Sequence, residues 1–364
     1  MSARGENAKK TKAPLVGVVD FFAGCGGTSL GFRRAGLSII AGLDSDQYAG
    51  ATYRRNFPRA TFLESRIEDV DPQIIKEILR NRKTRHVLLC GCAPCQPFSR
   101  IGSRSSTDKR TALLDHFGRM VDAIKPSLLF VENVPGLQQT NLERGPLRRL
   151  ISILERSAYD YSVGVVASQE YGVPQMRRRL ILMGSRLGPI AFPKPTHGPG
   201  RPNPQFSTVW EWIGHLPPLE AGQEHPTVPN HRAAILSEIN LRRISSTPVG
   251  GGRDDWPKDL ILDCHNNHDG HTDVYGRMHK DRPASALTTR CISLSNGRFG
   301  HPEQDRAISV REAALLQTFP DDFVFEGTFH STAQQVGNAV PVLLAERFGK
   351  AIMRHVRSFE LRKV

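Results

Sequence analysis

The chain has 364 residues, with 49 Lys plus Arg against 36 Asp plus Glu, and the resulting net charge of +13 points to a polyanionic partner. At 39% hydrophobic and 23% charged it has the composition of a folded globular protein, which excludes disorder of the whole chain, and its length suits a large domain plus a smaller one. The longest apolar stretches, such as 86–90 and 128–131, fall far short of the roughly 18 residues a membrane span requires, so no transmembrane helix and no membrane partner is expected.

Residues 1–14 read as a polar, lysine-bearing, disordered tail without the apolar segment of a secretory signal, so the protein is expected to stay in the cytoplasm. Six cysteines, three of them at 90, 92 and 95, do not form a disulfide framework and are expected to be reduced. From residue 15 short apolar runs alternate with amphipathic stretches, the pattern of a doubly wound α/β domain around a mainly parallel sheet. Strands are predicted at Val16–Phe22, Ser38–Leu43, Ala60–Leu63, His86–Cys90, Ser127–Glu132, Ser162–Ala167 and Leu180–Gly184, with helices between them. Six prolines between Pro189 and Pro204 break helices and inner strands, which places a domain boundary near residue 190. The stretch that follows, to about 300, is polar and irregular and reads as loops on a small domain. Helical periodicity returns at Ser309–Thr318 and from Ser331 to His355.

Four segments carry chemistry. Asp20-Phe21-Phe22-Ala23-Gly24-Cys25-Gly26-Gly27 follows an apolar strand and precedes the helical Ser29–Ala35. Glycines there let the backbone turn sharply and let a ligand approach a helix N-terminus. The next strand ends at Asp44, where an acid in dinucleotide folds binds ribose hydroxyls, so a nucleoside-containing cofactor is expected. There is no G-x-G-x-x-G, and a glycine turn that merely packs helix on strand is the plainer alternative. The second segment, Gly91-Cys92-Ala93-Pro94-Cys95-Gln96-Pro97-Phe98-Ser99, follows a buried-looking strand. Pro94 and Pro97 bracket Cys95 in a rigid loop, the setting of a presented nucleophile, although a lone cysteine is more often a small buried hydrophobe. Zinc is disfavoured because Cys92 and Cys95 have no second pair to complete four ligands. In the third, Phe130–Val134, a strand ends in the carboxylate of Glu132 at the same sheet edge. In the fourth, Gln175–Arg179, an extended backbone sets Arg177 and Arg179 on one face. Taken singly, the last two are ordinary solvated charges.

Together these segments resemble the DNA (cytosine-5) methyltransferase family, in order and over nearly the whole chain. Arg311–Pro320 and Gln335–Pro341 are similar to two C-terminal blocks of that family, the latter packing beside the cofactor loop. The resemblance implies a Rossmann-like methyltransferase sheet in a discontinuous catalytic domain, 15–190 with 305–358, and a target recognition domain over 191–304. It implies S-adenosylmethionine as methyl donor, held near Asp20, Phe22, Gly24, Gly26, Gly27, Asp44, Ile67, Pro94, Leu113, Asn338 and Val340. Two positions depart from the family pattern: Asp44 stands for the usual glutamate at the ribose, and Arg66 for the usual aspartate facing the adenine. Glu64, Asp69 or a backbone group is left to make the adenine contact.

The resemblance also implies the roles of the reacting groups. Cys95 attacks carbon 6 of cytosine, which activates carbon 5 toward the methyl group. Glu132 acts at N3 and the amino group, Arg179 at the carbonyl oxygen, and the target base is flipped out of the duplex. Ser99, Arg177 and the basic loop from Arg100 through Arg104 to Lys109, together with Gln96, are expected to hold the flipped nucleotide and the DNA backbone. Cys264, His265, His268 and His271 are read as a polar loop and not a zinc site. Duplex DNA is the expected partner, with a restriction endonuclease of the same site a second one, and a monomer is expected. A tRNA cytosine-5 methyltransferase and a non-catalytic DNA-binding homologue are the competing readings. The first rests on the run 97–102 and is countered by the longer, glycine-rich recognition segment.

Overall fold

The structure is a computed structural model that describes residues 13–94, 112–139, 145–262 and 273–363. The first part of the chain runs β1 (Val16–Phe21), α1 (Gly27–Arg34), β2 (Ser38–Asp44), α2 (Gln47–Asn56), β3 (Thr61–Glu64), α3 (Pro72–Arg82), β4 (His86–Gly91), α4 (Ala112–Ile124), β5 (Leu128–Asn133), α5 (Pro146–Arg156), β6 (Asp160–Ala167), β7 (Gln175–Met176) and β8 (Arg178–Ser185). The remainder carries α6 (Val209–Ile213), α7 (Glu238–Ser245), β9 (Ala284–Ser285), α8 (Val310–Leu316), α9 (Phe329–Asn338) and α10 (Val342–Leu361).

Seven strands form one sheet in the order β3-β2-β1-β4-β5-β8-β6. All pair in parallel except β8, which runs antiparallel to both β5 and β6. Each of the seven predicted strands is present, within two residues of its expected bounds at either end. They are apolar on both faces because both faces are covered. On one side Ile75 of α3, Phe117 and Met120 of α4 and Leu150 of α5 pack on Val19, Leu89 and Leu129; on the other, Phe32 of α1 and Leu344, Phe348 and Ile352 of α10 pack on Val18, Leu88 and Phe130. Each such side chain, fully buried, stabilises the fold by roughly 1.5–3 kcal/mol. The strand order reverses between β1 and β4, and this switch point opens a crevice at the carboxyl ends of the strands.

Three local expectations change. The helix predicted from Ser331 to His355 is two helices, because Pro341 lacks a backbone donor and disfavours the helical region at Val340, so α9 stops and α10 starts after Pro341. The segment after residue 190 is not loops alone: Thr208 and Glu211 form a reciprocal cap on α6, and α7 follows. Arg177 lies between β7 and β8, so the extended backbone is interrupted there, and β7 pairs with β9 in a separate two-stranded ribbon. Val209, Ile213, Leu287 and Phe299 share one apolar cluster with Ala313, Leu316, Phe319 and Val336, joining the irregular segment to the C-terminal helices.

Candidate active site

The turn after β1 is built on left-handed backbone, with Phe22, Gly24 and Gly26 at φ of 59°, 51° and 96°. Glycine is required at 26 and 27 for a further reason. A Cβ on Gly26 would lie 2.4 Å from the Phe57 ring, and one on Gly27 would lie 2.6 Å from the carbonyl oxygen of Val340. The Gln335–Pro341 block therefore abuts the glycine turn directly. Gly24 donates its N–H to Asp44 Oδ2 at 2.8 Å, and Asp46 donates to Oδ1 at 3.0 Å. Burial pushes the Asp44 carboxyl above its ordinary range, only partly countered by these two donors. Asp20 lies behind the turn, fully buried, where Ser29 donates to it at 2.7 Å and Tyr53 bonds Ser29 at 2.9 Å. Burial lifts its carboxyl to about 6.

From the ends of β4 and β5 come the groups nearest the expected chemistry. Asn133 donates to the carbonyl of Ala93 at 3.0 Å, which holds the chain two residues ahead of Cys95. Sequence reasoning had not assigned Asn133 a role, although it stands inside the Glu132–Val134 block. Cys92 Sγ lies 3.7 Å from Cys90 Sγ and 3.6 Å from the Thr28 hydroxyl. Glu132 and Arg179 form an ion pair of 2.7 Å with both side chains largely buried. Glu132 is paired in register with Ile181, so Arg179 reaches it diagonally across the antiparallel β5 and β8. Arg177 is used differently: it donates to the carbonyls of Leu287 at 2.9 Å and Gly337 at 3.3 Å, tying the β7–β8 junction to the irregular segment and to α9. Burial, and next the Arg179 charge, bring its guanidinium down to about 9.

These groups face one cavity of about 1440 Å³. Phe22, Gly24, Gly27, Asp44, Ile67, Pro94, Leu113, Glu132, Arg177, Arg179, Asn338 and Val340 all line it; Asp20 and Gly26 support the wall from behind. The opposite wall comes from the irregular segment, through Tyr275, Thr288, Thr289, Arg290 and Asn296. Drug-sized ligands occupy roughly 300–1,000 Å³, so this volume suits two reactants together. Apolar faces at Phe22, Ile67 and Leu113 beside the Asp44 carboxylate suit a nucleoside: a flat ring and a diol. Cys95, Gln96, Ser99, Arg100 and Arg104, the loop to Lys109, and the Cys264 to His271 cluster lie outside the described residues. So does the tail up to residue 12.

The sequence model of a family described as C-5 cytosine-specific DNA methylase matches residues 16–354. The chain is 40% identical to the Type II methylase M.HgiDII of Herpetosiphon aurantiacus, over 95% of this chain and 97% of that protein. It is 36% identical to the Type II methyltransferase M1.HphI of Haemophilus parahaemolyticus, over 92% of this chain and 86% of that one. Among solved structures, it superposes on a prophage-encoded Escherichia coli protein assigned as a DNA modification methyltransferase with a TM-score of 0.70 at 22% identity, covering 94% of this chain and 99% of that one. With Spodoptera frugiperda DNMT2 the TM-score is 0.61 at 17% identity, covering 94% and 99%. At these identities the two structures speak to the fold.

Proposed function

This chain belongs to the C-5 cytosine-specific DNA methylase family and is a DNA cytosine-5 methyltransferase, and from that premise we propose that the crevice at its strand ends seats both reactants. The family is S-adenosylmethionine-dependent. When bound, S-adenosylmethionine supplies an electrophilic methyl group on a sulfonium. On this reading Asp44 takes its ribose hydroxyls, Phe22, Ile67 and Leu113 take its base, and Pro94, Asn338 and Val340 border its reactive end.

Cytosine, turned out of the duplex, enters on the Glu132 side. The Cys95 thiolate adds to carbon 6, a C–S bond forms, and the ring's electron pair moves toward carbon 5. Glu132, protonated when the base is seated, donates its O–H to N3 and accepts from the 4-amino group through its other oxygen, and Arg179 donates to the carbonyl oxygen, so their mutual ion pair opens to share the base edge. Carbon 5 takes the methyl group that the donor would supply, leaving its sulfur as a neutral thioether; a base then removes the carbon 5 proton, the C–H electron pair re-forms the 5,6 double bond, and the C–S bond breaks to return the Cys95 thiolate. Arg177, committed to two backbone carbonyls, positions the junction that carries Arg179 and does not itself touch the base. We place base discrimination in 191–304 and phosphate contacts at Gln96, Ser99, Arg100 and Arg104. A monomer working in the cytoplasm, paired with an endonuclease of the same site, completes the reading. Among the described residues no helix is long and apolar enough to cross a membrane.

The observation that carries it is the convergence on one cavity of the Asp44 carboxylate, the Glu132–Arg179 pair and the Pro94 end of the nucleophile loop. The test is transfer of labelled methyl from S-adenosylmethionine to duplex DNA and, in parallel, to total tRNA. Label in DNA that disappears in Cys95→Ser is expected. Label that persists in Cys95→Ser, or enters tRNA alone, removes the proposal.

A further inference from the structure

The end of the sheet opposite the cavity carries a concentration of positive charge that the reaction does not use. There β4 and β5 begin and β8, which runs antiparallel to β5, ends. The last turn of α10 is pinned to the same end, because Glu360 takes His86 at 2.9 Å and Arg85 at 3.0 Å. Lys83, Lys125, Arg186, Arg354, Arg357 and Arg362 are exposed around it. None of these six forms an ion pair among the described residues. The acids nearby are mostly taken: Glu360 by Arg85, Asp122 by Arg156 and Glu155 by Arg148, while Asp160 at the start of β6 has no such partner among the described residues.

Cations at helix C-termini complement the helix dipole, and that accounts in part for Lys83 and Lys125, which follow α3 and α4. It does not account for Arg186, which follows a strand, or for Arg354, about two turns before the end of α10, since the effect fades within the last turn. Lys83 and Lys125 also stand in left-handed backbone, at φ of 49° and 51°, where glycine is the less strained choice. Arg186 is fixed beside Lys125: its N–H donates to the carbonyl of Ser127 at 2.9 Å and its guanidinium to that of Lys125 at 3.3 Å. The six residues of β4, at about 3.3 Å each, set this face about 20 Å from the strand ends that line the cavity.

We propose that this face is a second polyanion site, which takes the phosphate backbone of a duplex DNA segment other than the one being methylated. The inference rests on DNA being the substrate of this enzyme. Duplex DNA is stiff over about 150 base pairs, so a segment seated at the cavity does not wrap round to the opposite end. Its one charge per about 1.7 Å of axis matches cations spread over neighbouring strands about 4.8 Å apart. Backbone contacts carry no sequence information, so the face holds the enzyme on DNA and leaves the choice of target to the cavity side.

Sedimentation velocity with a labelled duplex of about 16 base pairs, in about 50 mM salt, counts the duplexes held by each chain. Wild type is expected to hold two. A triple variant, Lys125→Gln with Arg354→Gln and Arg357→Gln, is expected to hold one, its affinity for the second falling at least about tenfold, with kcat for methyl transfer unchanged. Lys125→Arg with Arg354→Lys and Arg357→Lys keeps the charge and is expected to hold two, which separates lost charge from lost fold. Lys76→Gln with Lys194→Gln and Arg201→Gln removes the same charge elsewhere and is also expected to hold two. One duplex per wild-type chain, two in the first triple variant, or one in the charge-keeping variant overturns the proposal while leaving the methyltransferase reading standing. So does binding of phosphatidylserine vesicles by this face without a second duplex. If wild type holds no duplex at all, the reading of DNA as substrate falls, and this proposal with it.

Discussion

The two walls of the cavity proposed as the active site are held by different means. On the sheet side, Asp44, Pro94 and Glu132 stand at the ends of strands whose backbone groups satisfy one another in ladders, and helices on both faces bury the rest. The facing wall has almost no ladder. Buried arginines do that work: Arg277 donates to the carbonyls of Thr247, Ile244, His301 and Gln304, Arg306 to those of Leu219 and Ala307, and Arg311 to those of Pro229, Pro320 and Phe323. A guanidinium has five donors in a rigid fork, so one side chain can satisfy several loop carbonyls that no strand partner reaches. The net charge of +13 is therefore not all directed at DNA, since Arg177, Arg277, Arg306 and Arg311 are buried structural cations.

The comparison can be sharpened by breaking each wall separately. The largest effect is expected on the sheet side at Glu132. Glu132→Gln should lower kcat by roughly 10²–10⁴-fold, the range of a lost general acid, while S-adenosylhomocysteine binding, read by calorimetry, changes little. A Glu132→Gln enzyme within about threefold of wild type would move the acid elsewhere.

On the facing wall the corresponding break is in stability. Glu312 is buried, takes Arg306 at 2.7 Å through both oxygens, and accepts the Ser309 N–H at 2.6 Å. Glu312→Ala leaves an unpaired buried guanidinium and should cost about 3–5 kcal/mol, read as a drop in Tm, with amide exchange rising first in 217–231 and 299–312. Uniform exchange across the chain would show instead that the two walls unfold as one.

Acidification should separate the walls by sign. Burial, chiefly, depresses His301 to about 4 from an ordinary 6.5, so between those values the unfolded chain holds a proton that the folded one refuses, and stability falls as pH falls. Glu312 acts the same way. Burial alone would raise it, but the Arg306 hydrogen bonds and charge hold it below its usual 4.5, and its contribution is lost as pH drops through its folded value. Asp20 is opposite: lifted from 3.8 to about 6, it contributes stability below 3.8 that is lost as pH rises to 6, by up to about 3 kcal/mol. Protection factors measured between pH 4.5 and 7 should therefore rise with pH in the facing wall and fall around β1 and α1. Parallel trends in both would refute the division. Asp20→Asn should flatten only the second.

The smallest effect is expected at Asn133. Asn133→Ala removes the hydrogen bond to Ala93 and the one that Oδ1 accepts from the Val134 N–H, of which the first, about 1–1.5 kcal/mol, bears on the loop, and it should lower kcat roughly tenfold with the KM for S-adenosylmethionine nearly unchanged. A rise in KM with kcat intact would make Asn133 part of cofactor binding and not a support of the nucleophile loop.

Much of this was legible before any coordinates. Strands such as His86–Gly91 announce themselves because a doubly covered strand must be apolar throughout, and the glycine turn at 24–27 because few other residues tolerate its backbone. The split between α9 and α10 was missed although Pro341 marks it, because the apolar repeat resumes in phase on both sides. The short helices α6 and α7 were missed because their apolar residues answer to α8 and to distant loops, not to a repeat within their own span.

By itself the sequence determined the order of the elements, the strand-end positions of Asp44 and Glu132, and the family, since these depend on local periodicity and on ordered motifs. Only the tertiary structure decided which of two neighbouring arginines reaches Glu132, which of the charged residues at and after β3 enter the cavity wall, and which cationic side chains are buried. Those outcomes turn on distances between residues as far apart as Arg177 and Gly337, brought together by packing that no local pattern encodes.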